Sequence, residues 1–341
     1  MRCRTRVQHP TACGRPTGRV RARGSSRFST VRFVARCLVV GANGFIGSHL
    51  VDELVSLGHE VTAFDRFSSQ RAVYTSAGVR QVAGDFMNHS DVAEAVAGQQ
   101  YVFHFVSTTT PATAENDPTL DVRTNIASSI ELFQHCVDAG VQKVFFASTG
   151  GAIYGNHPGT SFAEDTLPLP VSPYAIGKLA IEGYLRYFGV KYGLESISFR
   201  ISNPYGPGQR ANKKQGVIPI FLSRLAQGLP LTVLGDGSMV RDYLYVGDAV
   251  RMIAQTVGRS SSESVYNIGS GSGASVRQLL DVMESVTGRV PEVEVKPVPS
   301  TFLGRVVLDI ERFRSEFGYD TFMSLEEGIS KTWAQLMETS R

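Results

Sequence analysis

Tyr174 and Lys178 stand four residues apart in the segment Ser-Pro-Tyr-Ala-Ile-Gly-Lys. On a helix, positions i and i+4 share one face. An ammonium beside a phenol favours the phenolate, so the tyrosine becomes a usable general base nearer neutral pH. Ser172 is a good N-cap and Pro173 suits a first helical turn. Tyr174 then falls in that turn, where the helix dipole also favours an anion. Such pairs arise by chance on exposed helices, and this one gains weight from what lies upstream. Gly41, Gly44 and Gly47 follow the apolar run Cys37-Leu-Val-Val and open a helical pattern. Glycines at a strand-to-helix junction permit a tight turn and let the backbone approach a pyrophosphate, whose charge the helix N-terminus favours. Asn43, Phe45 and Ile46 fill out the same turn. Asp65, about twenty residues on, suits the adenosine ribose and repels a 2′-phosphate, which favours NAD over NADP. The adjacent Arg66, whose guanidinium can contact a phosphate, leaves NADP open. Asp85, with Phe86, is placed to reach the adenine, and Phe105, Val106 and Ser107 continue the cofactor lining.

Elements that would position these groups alternate along the chain. Strands are expected at 37–40, 60–65, 79–83, 101–106, 144–147 and 197–201, with helices between them, notably over 125–139 and 173–192. Strands alternating with helices argue an α/β fold, a Rossmann-type doubly wound parallel sheet with helices on both faces. Continuous apolar strands suit burial on both sides. After Asn203 the texture turns Gly- and Pro-dense. The expected organisation is a basic extension over 1–33, an NAD-binding domain over 34–202, and a smaller C-terminal substrate-binding lobe over 203–341, interleaved with late elements of the sheet.

In these motifs the chain resembles the extended short-chain dehydrogenase/reductases, specifically the NAD-dependent nucleotide-sugar epimerase/dehydratase group, nearest its UDP-glucose 4-epimerase members. The matching pieces are Gly41-Ala-Asn-Gly-Phe-Ile-Gly, Ser148-Thr-Gly-Gly-Ala-Ile-Tyr-Gly, Pro173-Tyr-Ala-Ile-Gly-Lys, Arg200-Ile-Ser-Asn-Pro-Tyr-Gly-Pro and Gly235-Asp-Gly-Ser-Met-Val-Arg-Asp-Tyr. The resemblance runs from about Arg36 to the C-terminus. It implies a third catalytic residue, a Ser or Thr at the end of the fifth strand. Counted from the strand this is Thr149; counted back from Tyr154-Gly155 it would be Gly150. A strand cannot slip without turning its side chains over, whereas the loop can absorb a glycine, so Thr149 is expected to hydrogen-bond the sugar hydroxyl that Tyr174 deprotonates. The resemblance further implies that Asn125 distorts its helix and supports Lys178. It also implies that Asn203 and Arg241 hold the substrate pyrophosphate, a guanidinium being able to bind phosphate bidentately. Arg305 stands displaced from the place of a second such arginine.

Sugar 4,6-dehydratases of this group carry an Asp-Glu pair directly after the Ser/Thr, and the decarboxylases a Glu in the same loop. Here Gly150 and Gly151 follow Thr149, and neither can transfer a proton. The expected chemistry is therefore NAD-dependent epimerisation of a nucleoside-diphosphate sugar at C4, of the UDP-glucose/UDP-galactose type, through a transient 4-keto sugar. The alternatives are a nucleotide-sugar dehydrogenase or reductase with net turnover of NAD(P)(H), and a non-catalytic dinucleotide-binding regulatory protein.

Composition bounds the remainder. With 341 residues, 42% hydrophobic and 19% charged, the chain is long enough for one large core or two lobes. Residues 1–33 hold nine arginines, no lysine and no acid; subtracting their +9 from the net +3 leaves −6 on the rest. The basic balance belongs to this extension and implies no nucleic-acid partner. Three readings suit it: an artefact of the chosen start codon, a disordered basic arm, or a transit peptide. No apolar run is long enough to span a bilayer. Cys3, Cys13, Cys37 and Cys136 follow no metal-ligand spacing and fit a reduced, cytoplasmic setting, and no metal site is expected. The helices over 125–139 and 173–192 carry apolar residues on more than one face, where a monomer's surface helix would show one stripe. A homodimer through a four-helix contact is expected.

Overall fold

Strand β1 (Arg36–Val40) buries both of its faces, Leu38 and Val40 toward one side and Cys37 and Val39 toward the other. It is an interior strand of a seven-stranded parallel sheet with β2 (Glu60–Asp65), β3 (Arg80–Ala83), β4 (Tyr101–His104), β5 (Lys143–Thr149), β6 (Glu195–Ile201) and β11 (Val265–Ile268). The strand order is β11-β6-β5-β4-β1-β2-β3. This is a Rossmann-type sheet, and its order reverses between β1 and β4, which opens a crevice at the carboxyl ends of those strands. The computed structural model describes residues 33–67, 73–155, 157, 159, 161–211, 216–298 and 303–339. The expected extension over 1–33 falls, up to residue 32, outside the described residues, as do Cys3 and Cys13.

Helices cover both faces. On one side pack α1 (Phe45–Ser56) and α8 (Val246–Ala254); on the other, α2 (His89–Val96), α5 (Ala127–Asp138) and α6 (Pro173–Tyr192). Short helices α3 (Pro111–Asn116) and α4 (Pro118–Asp121) precede a π-helical turn, Val122–Ile126, that leads into α5. The single helix expected over 125–139 is thus broken at its start by a wider turn. The fourth strand ends at His104, two residues short of expectation. The fifth runs to Thr149, paired in register with β6 from Lys143↔Glu195 to Thr149↔Ile201. Helix α6 has the expected bounds: Ser172 Oγ accepts from Ala175 N, and Gly193 ends it at φ +73°.

Later residues build a second core around Tyr205, Phe221, Leu279 and Ile329. It draws on α7 (Val217–Ala226), α9 (Val276–Thr287) and α11 (Leu325–Thr339). Small sheets stitch it together. Strand β7 (Asn203–Tyr205) pairs with β10 (Tyr243–Tyr245), and β8 (Leu231–Leu234) with β13 (Val293–Lys296). Strand β9 (Val240–Arg241) lies between β12 (Ala274–Ser275) and β14 (Arg305–Val306). Helix α10 (Glu311–Phe317) returns to the main sheet, where Phe313 and Phe317 pack on Tyr266. Among the described residues no helix is long and apolar enough to cross a membrane.

Candidate active site

The crevice at the switch point is a cleft of about 1360 Å³. Its floor is the β1–α1 turn. Gly41 sits at φ +91°, and a Cβ there would lie 2.6 Å from Val106 N. On Gly47 a Cβ would collide with Gly41 O, so neither glycine tolerates a side chain. This bare backbone beneath a helix N-terminus fits a dinucleotide pyrophosphate. Asp65 closes the turn: its carboxylate accepts from Asn43 N at 3.0 Å and from Arg66 N at 2.8 Å. The cleft takes in every expected cofactor residue except Asn125: Gly41, Asn43, Gly44, Phe45, Ile46, Gly47, Asp65, Arg66, Asp85, Phe86, Phe105, Val106 and Ser107. Asp85 Oδ1 accepts from Met87 N at 2.9 Å, which fixes that loop.

Thr149, Tyr174 and Lys178 come together on the same cleft. Thr149 is the last paired residue of β5. The neighbouring hydroxyl is committed elsewhere, since Ser148 Oγ donates to Glu182 Oε1 at 2.6 Å. Lys178 is buried; its Nζ donates to Ala147 O at 2.9 Å and lies 4.8 Å from the Phe146 ring centre and 5.7 Å from that of Tyr174. Burial dominates the titration of both groups. It pushes the Tyr174 phenol up to about 12, and the Asp121 carboxylate adds to the rise. It draws Lys178 down to about 8, although Asp121 and Glu182 oppose the fall. The expectation of a more acidic tyrosine is therefore corrected. Desolvation of the phenolate, reinforced by an acidic neighbour, outweighs the ammonium in this protein.

Three expected residues stand apart. Asn125 lies behind the cleft, buried in the π-helical turn. Its Oδ1 accepts from Thr108 N at 2.9 Å, and its Nδ2 donates to Thr109 Oγ1 and Asp121 Oδ1 at 2.8 Å each. It fixes the Thr108–Thr109 turn, lies in the π-helical distortion expected of it, and among the described residues makes no direct hydrogen bond to Lys178. Arg241 lines a second, adjoining pocket of about 260 Å³ in the later lobe, where its Nη1 donates to Val240 O. Arg305, exposed at the start of β14, lines neither cavity, in keeping with its displaced place in the sequence. Asn203 borders both cavities, its Nδ2 donating to Asp242 O at 3.1 Å. Among the described residues no group of three or more His, Cys, Asp or Glu side chains is placed to hold a metal ion.

Sequence reasoning missed two sets of residues. Asp121 lies four positions before Asn125, a spacing that puts an acid on the same helical side as a buried asparagine. That spacing was the available signal. Thr332, Gln335 and Thr339 of α11 wall the cleft, and Gln335 Oε1 accepts from Gly208 N at 2.5 Å. No motif marks these three.

Residues 37–269 match the NAD dependent epimerase/dehydratase family. The chain is 34% identical over 303 residues, 87% of its own length and 97% of the relative's, to UDP-glucose 4-epimerase of Mycolicibacterium smegmatis. It is 31% identical over 301 residues, 86% of its length and 95% of the relative's, to dTDP-4-dehydro-6-deoxyglucose reductase of Escherichia coli. A crystal structure of Thermus thermophilus UDP-glucose 4-epimerase in complex with NAD superposes with a TM-score of 0.81 at 35% identity, covering 89% of this chain and 99% of that one.

Proposed function

The chain belongs to the NAD-dependent epimerase/dehydratase family, and from that membership we propose that it inverts C4 of a nucleoside-diphosphate sugar of the UDP-glucose/UDP-galactose type. The observation that carries this reading is the Gly150-Gly151 pair after Thr149. A Cβ on Gly150 would lie 2.5 Å from Leu308 Cδ1 and 2.8 Å from Arg200 O, so no acid or base can stand there. Elimination across C5 and C6 lacks its proton-transfer group. Oxidation and reduction at one carbon require only the residues present.

The cofactor is NAD, held by the glycine turn and Asp65, and when bound it supplies the acceptor and donor of the C4 hydride. Tyr174 takes the C4 hydroxyl proton as its phenolate, the form that grows as pH rises toward the raised phenol value of about 12, and later returns it. Thr149 hydrogen-bonds the same hydroxyl and aligns it with the phenol. The Lys178 ammonium, above the Tyr174 ring, offsets the negative charge that develops on the phenol oxygen. Asn203 and Arg241 hold the pyrophosphate between the two cavities. The described cysteines, Cys37 and Cys136, are free and buried, which suits a reducing cytoplasm.

Incubation with UDP-glucose or UDP-galactose is expected to give each from the other, with no net growth of absorbance at about 340 nm. Growth of that signal in step with product would instead establish a dehydrogenase, a reading kept in view because one relative is a reductase. Bound NAD without turnover of any UDP-, GDP- or dTDP-sugar would point to a regulatory protein.

The protein is a homodimer in this reading, and α6 carries the contact. Ile176, Tyr184 and Tyr187 are 51%, 40% and 47% exposed on its outer face. The expected second apolar face of α5 is absent, because Leu132 and Phe133 are buried and Ile126, Ile130 and Val137 pack on the core. Val122, 54% exposed, is the neighbouring apolar side chain in the π-helical turn. Light scattering should give a dimer at micromolar concentration, and Ile176→Glu with Tyr184→Glu should give a folded monomer. A monomeric wild type, or a dimer indifferent to both charges, refutes the interface.

A further inference from the structure

We propose that Asp121 is a positioning residue of the active site: a buried carboxylate, seated against the backbone of Gly177 between Tyr174 and Lys178, that serves as the fixed counter-charge of the Lys178 ammonium. The proposal rests on the reading of Tyr174 and Lys178 as the working pair.

The geometry is specific. Asp121 is the last residue of α4 and is 3% exposed. Its Oδ1 accepts from Thr109 Oγ1 at 2.5 Å and from Asn125 Nδ2 at 2.8 Å. Its Oδ2 occupies the space that a side chain at 177 would fill, because a Cβ on Gly177 would collide with it. Gly177 lies within a helix at ordinary helical φ, so no backbone conformation demands glycine there; the carboxylate does. Behind the cleft, Asp121, Tyr174 and Lys178 border one small gap, too tight for water, together with His104 and Asn125.

The charges around this gap leave Asp121 to Lys178. Glu182, one turn further along α6, is held by Arg200 at 2.8 Å and by Ser148. Asp117 at the start of α4 faces Arg123, and Glu115 of α3 is exposed. His104 of β4 is neutral. Ser129 donates to Asn125 O, so His104 Nε2 donates to Ser129, and burial together with Lys178 holds the imidazole well below its usual range. Among the described residues no cation lies within ion-pairing distance of Asp121. A buried charge without a direct partner is costly, and the opposite charge bordering the same gap is the Lys178 ammonium. The same carboxylate opposes ionisation of Tyr174, so it raises the pH at which each of the two groups gives up its proton.

Asp121→Asn keeps the shape and the acceptor oxygen and removes the charge. Loss of a nearby negative charge disfavours the ammonium and favours the phenolate, so both groups titrate at lower pH. Competitive acetylation of the lysines, read residue by residue by mass spectrometry, should show the Lys178 midpoint falling by about one pH unit or more, with exposed Lys191 unmoved. Both limbs of the pH profile of kcat should move toward acid, with KM little changed. Thr109→Val, which loses a hydrogen bond and keeps the charge, should leave the midpoint in place. Asp121→Ser, equally uncharged, carries the same expectation should the asparagine variant fail to fold. A folded variant with the Lys178 midpoint and both limbs unmoved overturns the proposal. If the wild type turns over no nucleotide sugar, the functional reading fails separately and the acetylation midpoint still decides the role of Asp121.

Discussion

Tyr174→Phe is expected to lower kcat by about 10²–10⁴-fold, the usual contribution of a positioned general acid–base group, while NAD remains bound. The variant keeps the ring over which Lys178 Nζ is poised at 5.7 Å and deletes only the hydroxyl. Its neighbours leave no substitute. Ser148 is committed to Glu182, His104 is buried behind the cleft with Nε2 donating to Ser129, and the two residues after Thr149 are glycines. Thr149 can orient a hydroxyl, but its own proton is too tightly held to make it a base near neutral pH. Steady-state kinetics on the nucleotide sugar, with cofactor content measured on the denatured protein, separates loss of chemistry from loss of binding. Turnover at the wild-type rate would remove Tyr174 from the mechanism; loss of NAD would mean that the hydroxyl serves binding instead.

Arg200→Met is expected to destabilise the fold by about 3–5 kcal/mol, because it leaves an uncompensated charge inside the protein. Arg200 on β6 and Glu182 on α6 are 5% and 7% exposed. Two bonds join them, Nη2 to Oε2 at 2.8 Å and Nε to Oε1 at 3.2 Å. Ser148 adds a third contact to the carboxylate, and Arg200 Nη1 reaches Tyr154 Oη at 3.2 Å. The pair ties β5, β6, α6 and the loop after Thr149 into one polar knot directly beneath the cleft. Adding Glu182→Met should restore much of the lost stability, since replacing both members of a buried pair by apolar residues is often near neutral. Equilibrium denaturation of the single and double variants measures both terms, and a loss under about 1 kcal/mol for Arg200→Met would show the pair to be solvated in practice.

Local patterns carried much of this into view from the sequence. Ser172, Pro173 and Gly193 bound α6 because capping and αL geometry are set by near neighbours, and so Tyr174 and Lys178 were placed correctly on one helix face. Thr149 followed from strand register for the same reason. Features set by distant contacts were not legible. Asp121 and Gly177 meet only because α4 crosses α6, and nothing in either segment names the other. Arg305 has the right chemistry for phosphate, yet it pairs with Val240, one residue out of step with cavity-lining Arg241, and strand alternation sets it on the other face. The raised Tyr174 phenol is not legible either, because an ammonium can be read from sequence and the degree of desolvation cannot.

The α11 wall has a consequence for the order in which the site is made. Translation delivers the glycine turn, the switch-point strands and Tyr174 long before residues 332–339, yet Thr332, Gln335 and Thr339 wall the same cleft. The cleft is therefore assembled from both ends of one compact unit, and its α11 side is made after every other wall.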